Sequence, residues 1–395
     1  MKTLVLDKIA SVTNSVGLKR EVRLSKAIPC EEGTVIAVRV LTDKSTYNQI
    51  ELPSGRMAQV KRGDIVAGCL GHRHALFGYS GKIPEHLAPG DVVHLLNLGG
   101  VLGMCDSVNP DLGKPFECEV LGAVLSFPVL GERIGRPARI GGEPLPAEPL
   151  LDLKGIPVVA MVGSCMNCGK TAAACALVRE FAHQGLRVDG LKATGVSLRR
   201  DILALEDAGA RATAIFTDLG VVSTTAKNSA QATRMLLTKL AAQTVDPAHR
   251  ADLIVLELGD GLLGAYGVDA ILGDPELRSA FTAVVLAAND PVAAWGGIEL
   301  LRRDYGIEPV AVTGPATDNA VGVRLIEDRM GVPAANARTS PEALAAMVFA
   351  RLGIAPAGGG AALDAQDPTD LSNSALSAVE HEGGRTVGEH RPLGV

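Results

Sequence analysis

The first part of the chain alternates short apolar runs with turns built on Gly and Asp, as in GTVIAVRVL, NQIELPSG, MAQVKRGDIVAG and LAPGDVVHLLNLGG. Runs of this length, β-branched and punctuated by turn residues, predict short strands. Residues 1–145 are therefore expected to form a small β-rich domain, either a barrel or a sandwich. Gly63-Asp64 and Gly90-Asp91 each precede a β-branched run, a faint echo of one hairpin unit. The Pro-rich stretch GRPARIGGEPLPAEPLLD then reads as a connection, with residues 146–155 as the linker. From Ile156 the period changes. IPVVAMVG is a continuous apolar strand and KTAAACALVREFAHQG a helix ended by Gly185. DLIVLELG, AFTAVVLAAND and EPVAVTG supply further strands, with PVAAWGGIELLRRDYG as a helix between the last two. Strands alternating with helices predict a mostly parallel sheet covered on both faces, so residues 156–354 are expected to be an α/β domain. Residues 355–395 are rich in Gly, Pro, Ser and acids and are expected to be a disordered tail.

Composition narrows the partners. Hydrophobic residues make up 47% of the 395 and aromatic ones only 3%, so the core must be built from Ala, Val, Leu and Ile. A net charge of −6 argues against a nucleic-acid partner, since such domains carry a basic surplus. No apolar run reaches about 18 residues, so no membrane span is expected. The opening MKTLVLDKIASV lacks a sustained apolar stretch and a small-residue cleavage site. Seven cysteines without dense spacing read as reduced thiols of a cytoplasmic protein.

The strongest chemical signal is VVAMVGSCMNCGKTAAACALV. A buried strand runs into Gly163, a loop follows, and Gly169-Lys170-Thr171 opens a helix. Successive backbone N–H groups at such a helix start wrap a β-phosphate, and the helix dipole adds positive potential. Gly169 admits close approach, Lys170 spans β and γ oxygens, and Thr171 ligates magnesium. Five residues separate Gly163 from Gly169, one more than the commonest spacing; equivalently, Ser164 takes the usual first-glycine place. Gly163, Ser164, Asn167, Cys168, Gly169, Lys170, Thr171 and Ala172 form the expected nucleotide-binding set.

The segment GSCMNCGKTAAACALVREFAHQGLRVDGLKATG resembles the dethiobiotin synthetase-like (SIMIBI-class) superfamily of P-loop NTPases, whose loop reads G-T-D-T-x-V-G-K-T and is followed by a K-P-V-A-S-G segment. LKATG places Lys192 on that family's catalytic lysine. RRDILALEDA resembles its S-D-A-L-A-L stretch, which puts Asp201 on the magnesium-binding aspartate. ADLIVLELGDGLLG is similar to A-D-L-V-L-V-E-G-A-G-G, which puts Glu257 on the metal-binding glutamate. The three segments span roughly residues 156–265 in the family's order. The resemblance implies ATP and magnesium as cofactors, Lys170 and Lys192 as catalytic residues, and Thr171, Asp201 and Glu257 at the metal. It also implies a ligase-type reaction on a small carboxylate or amine, in a homodimer. Cys165 and Ala193 stand where the family has an acidic residue and a Pro, and the residues before 146 have no counterpart in it. An adenine-contacting segment corresponds at best to VTGPATDN, with Thr313 and Asn319.

Each of these residues also has a plainer reading. Glu257 suits a strand-end charge reaching solvent, Asp201 an N-cap of ILALEDAG, and Lys192 an exposed lysine after its strand. Cys165 and Cys168 form a CxxC within the loop, compatible with a metal, a redox switch or merely small side chains. CLGHRH spaces Cys69, His72 and His74 for zinc, but no second cluster accompanies them. Arg199 and Arg200 suit either a clamp on an anionic substrate or a solvated loop pair. Two other function classes share the fold: a small-molecule acyltransferase or kinase, and a regulatory or maturation NTPase acting on a protein partner.

Overall fold

The computed structural model describes residues 2–127, 134–141, 145–243 and 249–354; the expected tail lies outside them. In the second half, six strands alternate with helices: β1 (Val158–Gly163), β2 (Val188–Thr194), β3 (Ala212–Ile215), β4 (Leu253–Leu258), β5 (Phe281–Ala287) and β6 (Ala311–Thr313). The helices are α1 (Lys170–His183), α2 (Arg200–Asp207), α3 (Ser229–Ala241), α4 (Val268–Gly273), α5 (Pro275–Ala280), α6 (Pro291–Tyr305), α7 (Ala320–Met330) and α8 (Pro341–Leu352). All strand pairs are parallel, in the order β3-β2-β4-β1-β5-β6.

Every residue of β1, β2 and β4 is buried, which is why these strands read as unbroken apolar runs. The period of two still sorts their side chains. Val158, Ala160 and Val162 enter a core with α3, α4 and α6, whereas Val159 and Met161 enter one with α1 and α8. The helix ends follow local chemistry. Asp290 accepts the N–H of Ala293 at 2.9 Å with Pro291 in the first turn of α6, and α1 closes ahead of Gly185 at φ +83°. The order reverses about β1: the chain steps out to β2 and β3, returns with β4 between β2 and β1, and continues with β5 and β6 on the other side of β1. The carboxyl end of β1 therefore faces the crevice where α/β sheets bind ligands.

The first half builds a mixed, mainly antiparallel eleven-stranded sheet. Its centre closes on itself. Phe116–Ser126 pairs with Val35–Val40, that strand with Ile65–Leu70, and Ile65–Leu70 with Val101–Val108. Val92–Leu95 pairs with both Val101–Val108 and Phe116–Ser126, completing the ring. Closure of this kind removes open edges. Of the two shapes expected from sequence, the strands form the barrel. The two Gly-Asp turns share one device: Asp64 accepts the N–H of Lys61 and Asp91 that of Ala88, both at 2.7 Å, beside Gly63 and Gly90 at φ +93° and +101°. The start of the Pro-rich stretch is part of the barrel, because Arg136–Pro137 pairs with Leu125–Ser126 and Ala138 and Ile140 are buried in its core.

Barrel and parallel sheet interlock around the segment after β2. The Glu51 carboxylate, fully buried, accepts the N–H groups of Arg199 at 2.7 Å and Arg200 at 2.6 Å. Asn97 donates to the Ser197 carbonyl at 2.8 Å, and Glu32 accepts from Val222 and Ser223. Val222 completes the barrel core. Gly99 permits the approach, since a Cβ there would lie 2.0 Å from the Ser197 carbonyl oxygen. Gly99→Ala should therefore destabilise the protein by about 1–3 kcal/mol through overpacking. Gly273→Ala, which meets nothing within 4 Å at the end of α4, should change stability by no more than about 0.5 kcal/mol. Urea denaturation of the two variants checks the contrast.

Candidate functional site

The loop between β1 and α1 is tied down where it leaves the strand. Ser164 donates its N–H to the Ala287 carbonyl at the end of β5, and Leu262 donates to the Gly163 carbonyl. Asn167 and Gly169 hold left-handed backbone at φ +63° and +92°, bringing the chain round onto the first turn of α1. At Gly163 a Cβ would sit 2.5 Å from the Cys168 sulfur and 2.7 Å from Lys170 Cδ, so only glycine leaves the lysine its path. Lys170 is buried. Its ammonium donates to the Cys165 carbonyl at 2.7 Å, to the Asp260 carbonyl and to the Cys168 sulfur at 3.5 Å.

Beside the loop lies a buried charged chain. Lys192 and Glu257 are register partners on β2 and β4. Leu191 and Ala193 enter the core opposite α1, and so do Leu256 and Leu258, so the alternation sends Lys192 and Glu257 toward α1. Lys192 donates to Glu257 at 3.0 Å and to Asp201, and Thr171 donates to the same Glu257 oxygen at 2.9 Å. Burial works against the Lys192 charge, but Asp201 and Glu257 outweigh it and hold the ammonium above its ordinary pKa. Burial likewise opposes the Asp201 carboxylate, and Lys192 overrides it, leaving Asp201 below the usual range. Burial, helped by Glu257 and Asp201, pushes the Cys175 thiol up to about 11.

This arrangement corrects three of the plainer readings. Lys192 is within β2 and buried, not on the surface. Glu257 is only 2% exposed, so it is a buried carboxylate and not a strand-end charge in bulk solvent. Asp201 does not cap α2: Arg199 holds the cap position, Glu51 receives the free N–H groups, and Asp201 in the first turn faces Lys192. Other candidates have structural duties. Asn319 caps α7 through the N–H groups of Val321 and Gly322, and Thr313 accepts the N–H of Ala337. Cys69 is buried in the barrel while the His72 and His74 rings stack 6.3 Å apart, and among the described residues no group of three or more His, Cys, Asp or Glu side chains is gathered for a metal ion. Cys165 and Cys168 are free thiols, Cys165 taking a contact from Asn289 at 2.9 Å.

Asn167, Gly169, Lys170, Thr171, Ala172, Lys192, Asp201 and Glu257 line one cavity of about 570 Å³, whose lining does not include Gly163, Ser164 or Cys168. A larger surface groove of about 820 Å³, past Leu4, Arg39 and Glu119 on the barrel, contains no comparable cluster. The opposite wall of the smaller cavity comes from the barrel through Tyr47, Arg73, Phe77 and Asn97. Sequence reasoning missed these, together with Asp260 and Glu51. Arg73 stands between the two histidines weighed as metal ligands, and Asp260 three residues after Glu257 in GDG; a charged residue inside an otherwise apolar or Gly-rich run was the available signal. Among the described residues, Glu257 Oε2 is buried without a hydrogen-bond partner. An oxygen lone pair so placed, beside the Thr171 hydroxyl, suits a hard cation that takes few protein ligands and completes its shell with water and phosphate oxygens. Magnesium fits that donor set.

No family model matches the chain, and no curated protein does. Parts of it are similar to three solved structures. The signal recognition particle receptor FtsY from Elizabethkingia anophelis is 19% identical over 46% of this chain and 58% of its own, with a TM-score of 0.33. A DUF1611 family protein from Anabaena variabilis is 16% identical over 54% of this chain and 63% of its own, at 0.37. The signal recognition particle 54 kDa protein from Aeropyrum pernix in complex with GDP is 18% identical over 54% of this chain and 49% of its own, at 0.35. The chain thus spans less than two thirds of each.

Removing the cation from the buried triad leaves two carboxylates uncompensated. Lys192→Met should cost about 3–5 kcal/mol at pH 7. The folded-state pKa of Asp201 lies below 3.8, so its stabilisation is complete above that pH and is lost as pH falls through the lower folded value. The gap between wild type and Lys192→Met should accordingly narrow under strong acid. Denaturant titrations at neutral and acid pH measure both effects.

Proposed function

We propose that the protein is an ATP- and magnesium-dependent P-loop enzyme of ligase type, activating a small carboxylate or carbamate by phosphoryl transfer. The observation that carries the reading is the convergence of Lys170, Thr171, Lys192, Asp201 and Glu257 on one cavity at the carboxyl edge of a parallel sheet. Backbone N–H groups at the start of α1 bind the β-phosphate. Lys170 leaves the carbonyls of Cys165 and Asp260 to reach the β and γ oxygens, exchanging neutral acceptors for charged ones. Thr171, Asp201 and Glu257 would hold magnesium. Magnesium, when bound, neutralises charge on the phosphate oxygens. Lys192, kept protonated by its two carboxylates, lies where negative charge gathers during transfer. Most of the catalytic work is positioning and charge neutralisation, the usual division of labour in phosphoryl transfer.

A barrel wall standing over the cavity of about 570 Å³ favours a small second substrate over a protein partner. Calorimetric titration with ATP and with GTP, each with magnesium, tests the reading. Wild type should bind ATP in the micromolar range, and Lys170→Ala should weaken binding at least tenfold. Equal affinity of the variant and the wild type, or a clear preference for GTP, would sink the ATP-dependent assignment.

A further inference from the structure

Two buried charged groups of the cavity are left over by the nucleotide chemistry. Asp260 is 5% exposed, and among the described residues neither of its carboxylate oxygens has a hydrogen-bond partner. Its backbone sits at φ +66°, a left-handed conformation that non-glycine residues adopt uncommonly. Arg73, 4% exposed, enters from the barrel. One of its terminal nitrogens donates to the Leu96 carbonyl, its guanidinium carbon lies 5.8 Å from the centre of the Tyr47 ring, and its Nε has no partner among the described residues. The backbone is pared away to admit it: a Cβ on Gly78 would meet Arg73 Nη2 at 2.5 Å. Arg73 and Asp260 feel each other's charge yet form no ion pair, and the buried hydroxyl of Tyr266 sits against the Arg73 guanidinium, close enough for a side-chain interaction, while Arg73 Nε stays open.

Leaving a buried carboxylate and a buried guanidinium each with open bonding capacity is costly unless a ligand meets both. All three side chains line the cavity that also contains Lys170 and Thr171. A complementary ligand offers an oxyanion to Arg73 and an N–H to Asp260. We propose that Arg73 and Asp260 form an acceptor subsite, in which Arg73 anchors the carboxylate to be activated and Asp260 binds the nitrogen nucleophile and takes its proton. The proposal rests on the ligase reading and assigns it a substrate half: the barrel chooses the carboxylate, and the parallel sheet handles the phosphates. The step balances. A carboxylate oxygen attacks the γ-phosphorus, and the bond to the bridging oxygen breaks with its electron pair leaving on ADP. The amine nitrogen then bonds to the carbonyl carbon of the acyl phosphate. Phosphate departs with the C–O electron pair, and the surplus N–H proton passes to Asp260.

Formate and methylammonium are the smallest probes of the two ends, followed by ligand-observed proton NMR on the full chain with magnesium and ADP bound. Both should bind wild type. Arg73→Gln should weaken formate at least tenfold and leave methylammonium within twofold, with Arg73→Lys recovering part of the formate affinity. Asp260→Asn should do the reverse. Magnesium–ADP affinity within twofold of wild type in each variant establishes that the fold is intact. Wild type that binds magnesium–ADP but neither probe, or probes indifferent to both substitutions, would overturn the subsite. Absent magnesium–ADP binding, with both probes still answering to their own substitutions, would remove the nucleotide reading and leave the subsite standing.

Discussion

The ammonium of Lys192, buried between Asp201 and Glu257, is the interaction on which the architecture of the site depends. An ion triad in the interior survives only if each charge is compensated, so the positions of all three are mutually enforced. Glu257 lies across the sheet from Lys192 in register, and Asp201 must be brought in by the segment after β2. That segment is where the barrel takes hold. Glu51 receives the N–H groups at the start of α2, and Asn97 fixes the Ser197 carbonyl. The first half of the chain thus sets the geometry of a charge cluster in the second.

The same dependence explains why the cavity lies at a seam. A parallel sheet offers its ligand crevice at the carboxyl ends of its strands. Here that crevice meets a barrel whose side chains supply a guanidinium, two aromatic rings and an amide to the facing wall. Burial makes the polar atoms of both walls expensive to leave unmatched, yet among the described residues Glu257 Oε2, Arg73 Nε and the Asp260 carboxylate are left unpartnered around this cavity. Packing elsewhere follows simpler rules, with apolar strands between helix layers and a barrel closed by a fifth strand.

Much of the fold was legible in the sequence. Unbroken apolar runs separated by amphipathic segments can become little else than a covered parallel sheet, and a Gly-Lys-Thr between strand and helix points to a phosphate loop. The turn signals were equally readable: Gly63-Asp64 and Gly90-Asp91 reuse one side-chain bond. Alternation along β2 and β4 even encoded that Lys192 and Glu257 face α1, since the residues flanking each are apolar and take the other side. It was not usable alone, because a strand buried on both faces carries no polar stripe to say which face holds which helix.

What the sequence determined by itself was local: strands, helices, turns, and the chemistry of a loop whose function is built from neighbouring backbone atoms. The tertiary structure decided everything that joins distant segments. Asp201 suits a helix cap by its position, and only the arrival of Glu51 from 149 residues earlier, at hydrogen-bond distance from the N–H of Arg200, frees its carboxylate to face Lys192. Nothing in CLGHRH singles out Arg73 until the barrel closes and turns it into a cavity wall. Side-chain type and short spacing are written in the chain. Burial and partnership depend on which surfaces the fold brings together, and those long-range contacts leave no local trace.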